Sequence, residues 1–268
     1  MTEEQYLQAL ANNPHGIRNI PNPTEAMQLV AVSQNGMLLQ YLKEPTHAVI
    51  EKALETESRA LQFVDSPSEE LLLGLVKKDW AVLEFIEQPT PAMIDLALEQ
   101  SGWAIRYIKA PSEDLQIRAV EQTYEALQFI PNPSEAVQMA AVKKTYLALR
   151  YIDNPTIDAL RLAVLQNPQA LRQITQLEPS VVLDLLRTSS LILGYVPQQL
   201  GIDVKEVERI IGDMVASPDV DERYVRDVVR NKALGSRQSS WPIDILTLID
   251  TVGSAKAKRI AIDEWLLY

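Results

Sequence analysis

Cysteine is absent from the 268 residues, and histidine occurs only twice. Without thiols there is no disulfide scaffold, no thiolate metal site and no cysteine nucleophile. Two imidazoles leave little for general acid–base or metal chemistry. Nine glycines are few for a doubly wound nucleotide-binding fold, whose phosphate loops need several at tight turns. Basic residues are outnumbered, 25 Lys and Arg against 36 Asp and Glu for a net charge of −11. That balance argues against sequence-independent DNA binding, which needs cations to neutralise phosphates. No run of about 18 apolar residues suggests a membrane span, and no basic-then-apolar leader is visible. A soluble, cytoplasmic protein without a cofactor is expected.

What is present is a period. A Pro followed by Ser or Thr recurs at Pro23, Pro45, Pro67, Pro89, Pro111, Pro133 and Pro155, each 22 residues after the last. Residues 1 to 22 fit one period earlier, through Ala9-Leu10 and Ile17 to Asn22, so eight units run to about residue 176. With the Pro as column one, a cap-forming residue often precedes it (Asn22, Ser66, Asn132, Asn154) and Glu often stands in column three. Cap, Pro at the first helical position and Glu at the third predict a helix start with a capping box. Columns five, nine and ten form an apolar stripe at helical spacing, as in Val137, Ala141 and Val142, which predicts an amphipathic helix of about three turns. Column nine is Ala in every unit except at Leu75, and a small residue there lets a neighbouring helix come close.

Columns 13 and 14 break the helix, with Asn35-Gly36, Ser101-Gly102 and Asn167-Pro168 as turn pairs. A second stripe follows in columns 16, 17, 19 and 20, for example Ala126, Leu127, Phe129 and Ile130. Its Ala and Leu content predicts a short helix of about two turns. A leucine-rich repeat would need alternating Leu on a strand and an Asn ladder, and tetratricopeptide and ankyrin units are about half as long again. One unit cannot bury its own stripe, so the expected fold is all-α, an α-solenoid of stacked 22-residue helix-turn-helix repeats.

The stretch Ala31-Val32-Ser33-Gln34-Asn35-Gly36-Met37-Leu38-Leu39-Gln40-Tyr41 resembles the A-V-x-x-N-G-x-A-L-x-Y unit of a family of short helical repeats of unknown function, found in viral, phage and protist proteins. The resemblance covers residues 1 to 176 and is weaker where Asn-Gly becomes Asp79-Trp80, Thr123-Tyr124 or Thr145-Tyr146. It implies a viral or phage origin and carries no catalytic residues.

After Gln176 the register shifts by two, with Leu177-Glu178 ahead of Pro179, and from Pro197 the period is lost. Residues 177–268 read as a degenerate repeat plus a helical capping region, with helices over 203–215, 221–232, 242–251 and 254–268 and a flexible run from Gly235 to Ser240. A separate helical module that binds a partner or dimerises is the competing reading. The acidity lies in the regular part: residues 1–154 carry 12 basic and 21 acidic side chains, and the remainder 13 and 15.

Catalytic candidates are sparse. His15 and His47 lie in different units and columns. Glu69-Glu70, Glu113-Asp114 and the carboxylates between Asp219 and Glu222 sit at helix starts, where they complement the helix dipole. Ser33 and Ser58 have no His-Asp context. Asp203, Glu206 and Asp213 with Arg209 are the one conceivable acid–base cluster, and an enzyme is not expected.

Binding candidates are richer. Column 19 is aromatic (Tyr41, Phe63, Phe85, Tyr107, Phe129, Tyr151), either a stacking ladder for single-stranded nucleic acid or rings packed between units. Column 18 is polar throughout, including Arg106 and Arg150. Trp80, Trp103, Tyr124 and Tyr146 put bulky rings in columns 14 and 15, where other units place residues such as Gly, Ser or Met, and such rings often anchor interfaces. The expected function is a non-enzymatic protein-protein interaction module, such as a phage or viral inhibitor or adaptor of a host protein, with carboxylates steering a basic partner. No direct nucleic-acid or membrane contact is expected. The alternative is an acidic mimic of nucleic acid that blocks a DNA- or RNA-binding protein.

Overall fold

A computed structural model describes residues 1–235 and 239–266. Ser236 to Gln238, inside the expected flexible run, and Leu267-Tyr268 lie outside the described residues. The fold is all-α, an α-solenoid of repeated helix-turn-helix pieces, with no β-strand among the described residues. It forms two compact units, Met1–Pro111 and Ser112–Tyr268.

The first unit holds five repeats. Their α-helices are α1 (Glu3–Asn12), α2 (Glu25–Gln34), α3 (His47–Thr56), α4 (Glu69–Lys78) and α5 (Pro91–Gln100). Each is followed by a six-residue 3-10 helix: Pro14–Asn19, Gly36–Tyr41, Ser58–Phe63, Trp80–Phe85 and Gly102–Tyr107. The second unit continues the pattern with α6 (Glu113–Gln122), α7 (Glu135–Lys144), α8 (Ile157–Gln166) and α9 (Pro179–Leu186), whose 3-10 partners are Tyr124–Phe129, Tyr146–Tyr151, Pro168–Gln173 and Ser190–Tyr195. It ends with α10 (Val204–Ala216), α11 (Glu222–Arg230), α12 (Ile245–Val252) and α13 (Ala255–Trp265). The second helix of every repeat is thus the tighter 3-10 form, two turns in six residues.

The apolar columns form the core as the spacing predicts. Ala31, Ala53, Ala97, Ala119, Ala141 and Ala163 of column nine have no exposed surface, and Ala60, Ala104, Ala126, Ala148 and Ala170 of column 16 are equally buried. The Leu75 exception has a structural counterpart. A groove of about 310 Å³ lined by Leu54, Leu71, Gly74 and Leu75 lies between α3 and α4, whereas α2 packs closely on α3.

The helix start differs from the sequence expectation. The N-cap is the Ser or Thr after the Pro, not the residue before it: Thr24, Thr46, Ser68, Ser112, Ser134 and Thr156 each accept from the backbone N–H three residues on. The Pro sits just outside the helix, where its fixed φ suits the extended entry. The residue before it closes the link, and at Glu44, Ser66, Ala110 and Asn132 does so with φ of 47–50°. Of these four, Asn132 fits the left-handed region best, since Asn tolerates it better than other non-glycine residues. One residue in column 13 performs two tasks. Asn35, Asp79, Ser101, Thr145 and Asn167 each end an α-helix and cap the next 3-10 helix, accepting from the N–H two residues on.

The expected register shift at residue 177 is absent. Helix α9 begins 22 residues after α8 and Ser190–Tyr195 lies 22 after Pro168–Gln173. Pro179 stands at the first helical position and leaves the frame intact. In that frame Leu185 and Leu186 fill columns nine and ten, and Ile192 and Leu193 columns 16 and 17, all of them buried. The ninth repeat is therefore complete, and the expected helices over 203–215, 221–232, 242–251 and 254–268 correspond to α10 to α13.

Candidate functional site

Between repeats, the polar columns are spent largely on backbone. Gln34 donates to Leu10 O and Ala11 O, Gln100 to Val76 O at 2.7 Å and Gln166 to Val142 O at 2.7 Å. Each satisfies carbonyls at the end of the preceding helix, which have no intrahelical partner. The buried Gln138 carboxamide accepts from Thr156 N–H at 2.8 Å and donates to Pro133 O at 3.0 Å. It closes the floor of a groove of about 440 Å³ beside Phe129 and Tyr151. The signal for these clamps, Gln recurring in column 12, was legible in the sequence and escaped the motif reading.

Trp80, Trp103 and Arg106 belong to the first unit. Trp80 is half-buried, its ring centroid 6.2 Å from that of Tyr107 in the following repeat. The Tyr107 hydroxyl donates to Glu84 at 3.3 Å, and the exposed Arg106 guanidinium lies 4.9 Å from the Tyr107 ring. Burial, more than the Glu84 charge, pushes the Tyr107 phenol above its ordinary pKa. Trp103 is half-buried in the next repeat. Tyr124, Tyr146 and Arg150 belong to the second unit. Tyr124 and Tyr146 are half-buried and Arg150 is exposed. The Tyr124 ring centroid lies 6.1 Å from that of Tyr151. Trp80 and Tyr124 thus hold one repeat against the next, and neither forms a free-standing platform.

The aromatic column behaves alike. Phe63, Phe85, Tyr107, Phe129 and Tyr151 are half-buried, and Tyr41 is exposed beneath the Arg18 guanidinium at 4.2 Å. Column 18 is exposed throughout, yet Gln40, Gln62 and Gln128 each bond the carbonyl three residues back. Among the catalytic candidates, His47 faces Glu51 at 3.3 Å on open surface, Ser33 Oγ donates to Val30 O, Asp203 caps α10, and Arg209 pairs with Asp213 within that helix. Among the described residues no His, Asp and Glu group is arranged to hold a metal, and no helix is long and apolar enough to cross a membrane.

The C-terminal helices have a different surface. Three of their buried side chains donate to the ninth repeat: Tyr224 to Leu186 O at 3.0 Å, Asn231 to Ser190 O at 2.7 Å and Trp241 Nε1 to Leu193 O at 3.0 Å. Tyr224 does at the end of α9 what Gln34, Gln100 and Gln166 do for earlier helices, and Asn231 and Trp241 do the same for carbonyls of the last 3-10 helix. Helix α13 is fixed to α11 by Glu264, fully buried and bonded by both Arg226 and Arg230. The hydrogen bond from Arg230, joined by that from Arg226, holds the Glu264 carboxyl below the usual carboxylate range against the opposing effect of burial.

With α13 held in this way, its opposite face is open. Ile262 is 59%, Trp265 62% and Leu266 70% exposed, and Leu246 on α12 is 46% exposed. Leu246, Ile249, Ala261, Ile262 and Trp265 line a groove of about 260 Å³ with Asp250 and Lys258. Five of the eight large hydrophobic residues that are exposed among the described residues fall within 246–266. Trp265 and Leu266 fall at the end of the last helix expected from the sequence, but local spacing alone does not fix which way their side chains point.

Comparison with known proteins adds no relative: no family model, no curated protein and no solved structure matches the chain.

Proposed function

We propose that this chain is a non-enzymatic protein-binding module, in which the exposed apolar face of α12 and α13 is the docking surface. The observation that carries the reading is the clustering of exposed Leu246, Ile262 and Trp265 around one groove, with exposed Leu266 next in the chain, while Trp80, Trp103, Tyr124 and Tyr146 of the repeats are half-buried. Contiguous apolar surface with an aromatic centre is what protein interfaces concentrate. An inhibitor or adaptor of phage or viral origin, acting on a host protein, is the role this reading extends to. The nucleic-acid mimic draws support from the exposed carboxylates in the first turns of α1, α2, α4, α6 and α7.

A photo-reactive phenylalanine analogue at position 266, irradiated in nuclease-treated host lysate, tests the docking face. The expected result is a polypeptide adduct that survives high salt during capture. No polypeptide adduct refutes the reading, and basic nucleic-acid-binding proteins released at low salt favour the mimic instead.

A further inference from the structure

We infer that the occupant of the α12–α13 face is a second copy of this chain, paired about a two-fold axis. The inference rests on that face being a docking surface and goes on to say what docks. The first argument is charge. Asp250 and Lys258 line the groove, and Arg259 and Asp263 flank Ile262 on α13. None of the four forms an ion pair among the described residues, although Arg259 and Asp263 stand one helical turn apart. The groove and the exposed turn of α13 beside it therefore carry two cations and two anions, none of them in an ion pair. An acidic partner would satisfy the cations and confront the anions, and a basic partner the reverse. A surface bearing the same mixture satisfies both when its anions meet cations, and a two-fold interface that sets Asp250 opposite the Lys258 of the second copy makes that match twice, since residue i meets j wherever j meets i. Residues 155–268 have a nearly balanced charge, 13 basic against 15 acidic, so little net repulsion opposes self-association there.

The second argument is area. The exposed parts of Leu246, Ile262, Trp265 and Leu266 amount to roughly 450 Å² when ordinary side-chain areas are used. A two-fold pairing that covers all of it buries at most roughly 900 Å² of apolar surface, and the polar surroundings bring that upper bound past the ~1,000 Å² that separates specific interfaces from chance contacts. The centre also has the expected anatomy, with an aromatic anchor beside a groove and charges at the edge.

Sedimentation equilibrium of the purified full chain at about 10 µM is the test. The expected mass is twice 30.1 kDa. Trp265→Glu and Ile262→Glu, both at exposed positions, should return the single-chain mass with unchanged circular dichroism, and with a melting temperature that no longer rises with protein concentration. Asp250→Lys and Lys258→Glu should each weaken the dimer about tenfold by creating like-charge contacts, and the double variant Asp250→Lys/Lys258→Glu should recover most of that loss. A wild-type chain at 30.1 kDa, a dimer indifferent to Trp265→Glu, or charge reversals that do not rescue one another overturns the inference. A monomer whose position 266 still cross-links to a different protein removes the second copy and leaves the docking face standing, whereas a monomer with no adduct removes both.

Discussion

Enlarging one column-nine alanine tests the physical basis of the stacking. Ala141 on α7 is fully buried, as are Val137 and Val142 on the same helix. Close by, the Gln138 carboxamide is tied to Pro133 O and Thr156 N–H, so the packed face cannot rearrange without giving up hydrogen bonds. A Leu at position 141 must therefore displace an element packed on α7 or adopt a poor rotamer. Overpacking costs about 1–3 kcal/mol, and the rigidity of this site places Ala141→Leu in the upper half, at about 2–3 kcal/mol. Urea denaturation followed by circular dichroism reads the global change. Amide exchange by mass spectrometry reads the local one, because repeat arrays open unit by unit. At about 1.4 kcal/mol per decade, protection in α6 and α7 should fall roughly 30- to 100-fold. Ala136→Leu, exposed on the same helix, is the matched control and should stay within about 0.5 kcal/mol of wild type. A wild-type midpoint and unchanged protection for Ala141→Leu would refute the claim that column nine sets the helix spacing.

Three other outcomes follow from particular contacts. Glu44 has φ of 48°, so Glu44→Asn should stabilise by about 0.5–1 kcal/mol; destabilisation in urea would show that the left-handed conformation carries no strain. Gln166→Leu leaves the Val142 carbonyl without its 2.7 Å partner and should cost about 1–2 kcal/mol, with extra exchange at the end of α7; an unchanged midpoint contradicts the clamp role. The Glu264 carboxyl is lowered in the folded state by Arg230 and Arg226, so its contribution is present above the unfolded carboxylate value of about 4.3 and disappears as pH falls through the lower folded value. Glu264→Gln should accordingly lower the melting temperature at neutral pH, and the difference from wild type should shrink in acid; a pH-independent difference argues against the ionised pair.

Much of this architecture was open to reading because repetition averages out local ambiguity. One 22-residue segment with Ala, Leu and a turn pair is weak evidence, but Ala53, Ala97, Ala119, Ala141 and Ala163 in one column leave little choice about which face is buried. The helix caps were misplaced because Pro is compatible both with the first helical position and with the residue ahead of the cap; Pro91 and Pro179 take the former, Pro23 and Pro133 the latter. The same ambiguity created the apparent shift at residue 177. The rings at Trp80 and Tyr124 were legible as exceptions, but their pairing with Tyr107 and Tyr151 depends on how far one repeat rotates past the next.

The sequence by itself determined the period, the two helical segments in each repeat and the buried columns, since each follows from local spacing and side-chain size. Tertiary structure decided that the second segment closes as a 3-10 helix, and that Gln34, Gln100 and Gln166 reach back to carbonyls some two dozen residues earlier. It also decided which side of α13 is left uncovered. That last outcome depends on Glu264 being drawn inward by arginines 34 and 38 residues away, a long-range choice that turns Ile262, Trp265 and Leu266 outward and that no local pattern encodes.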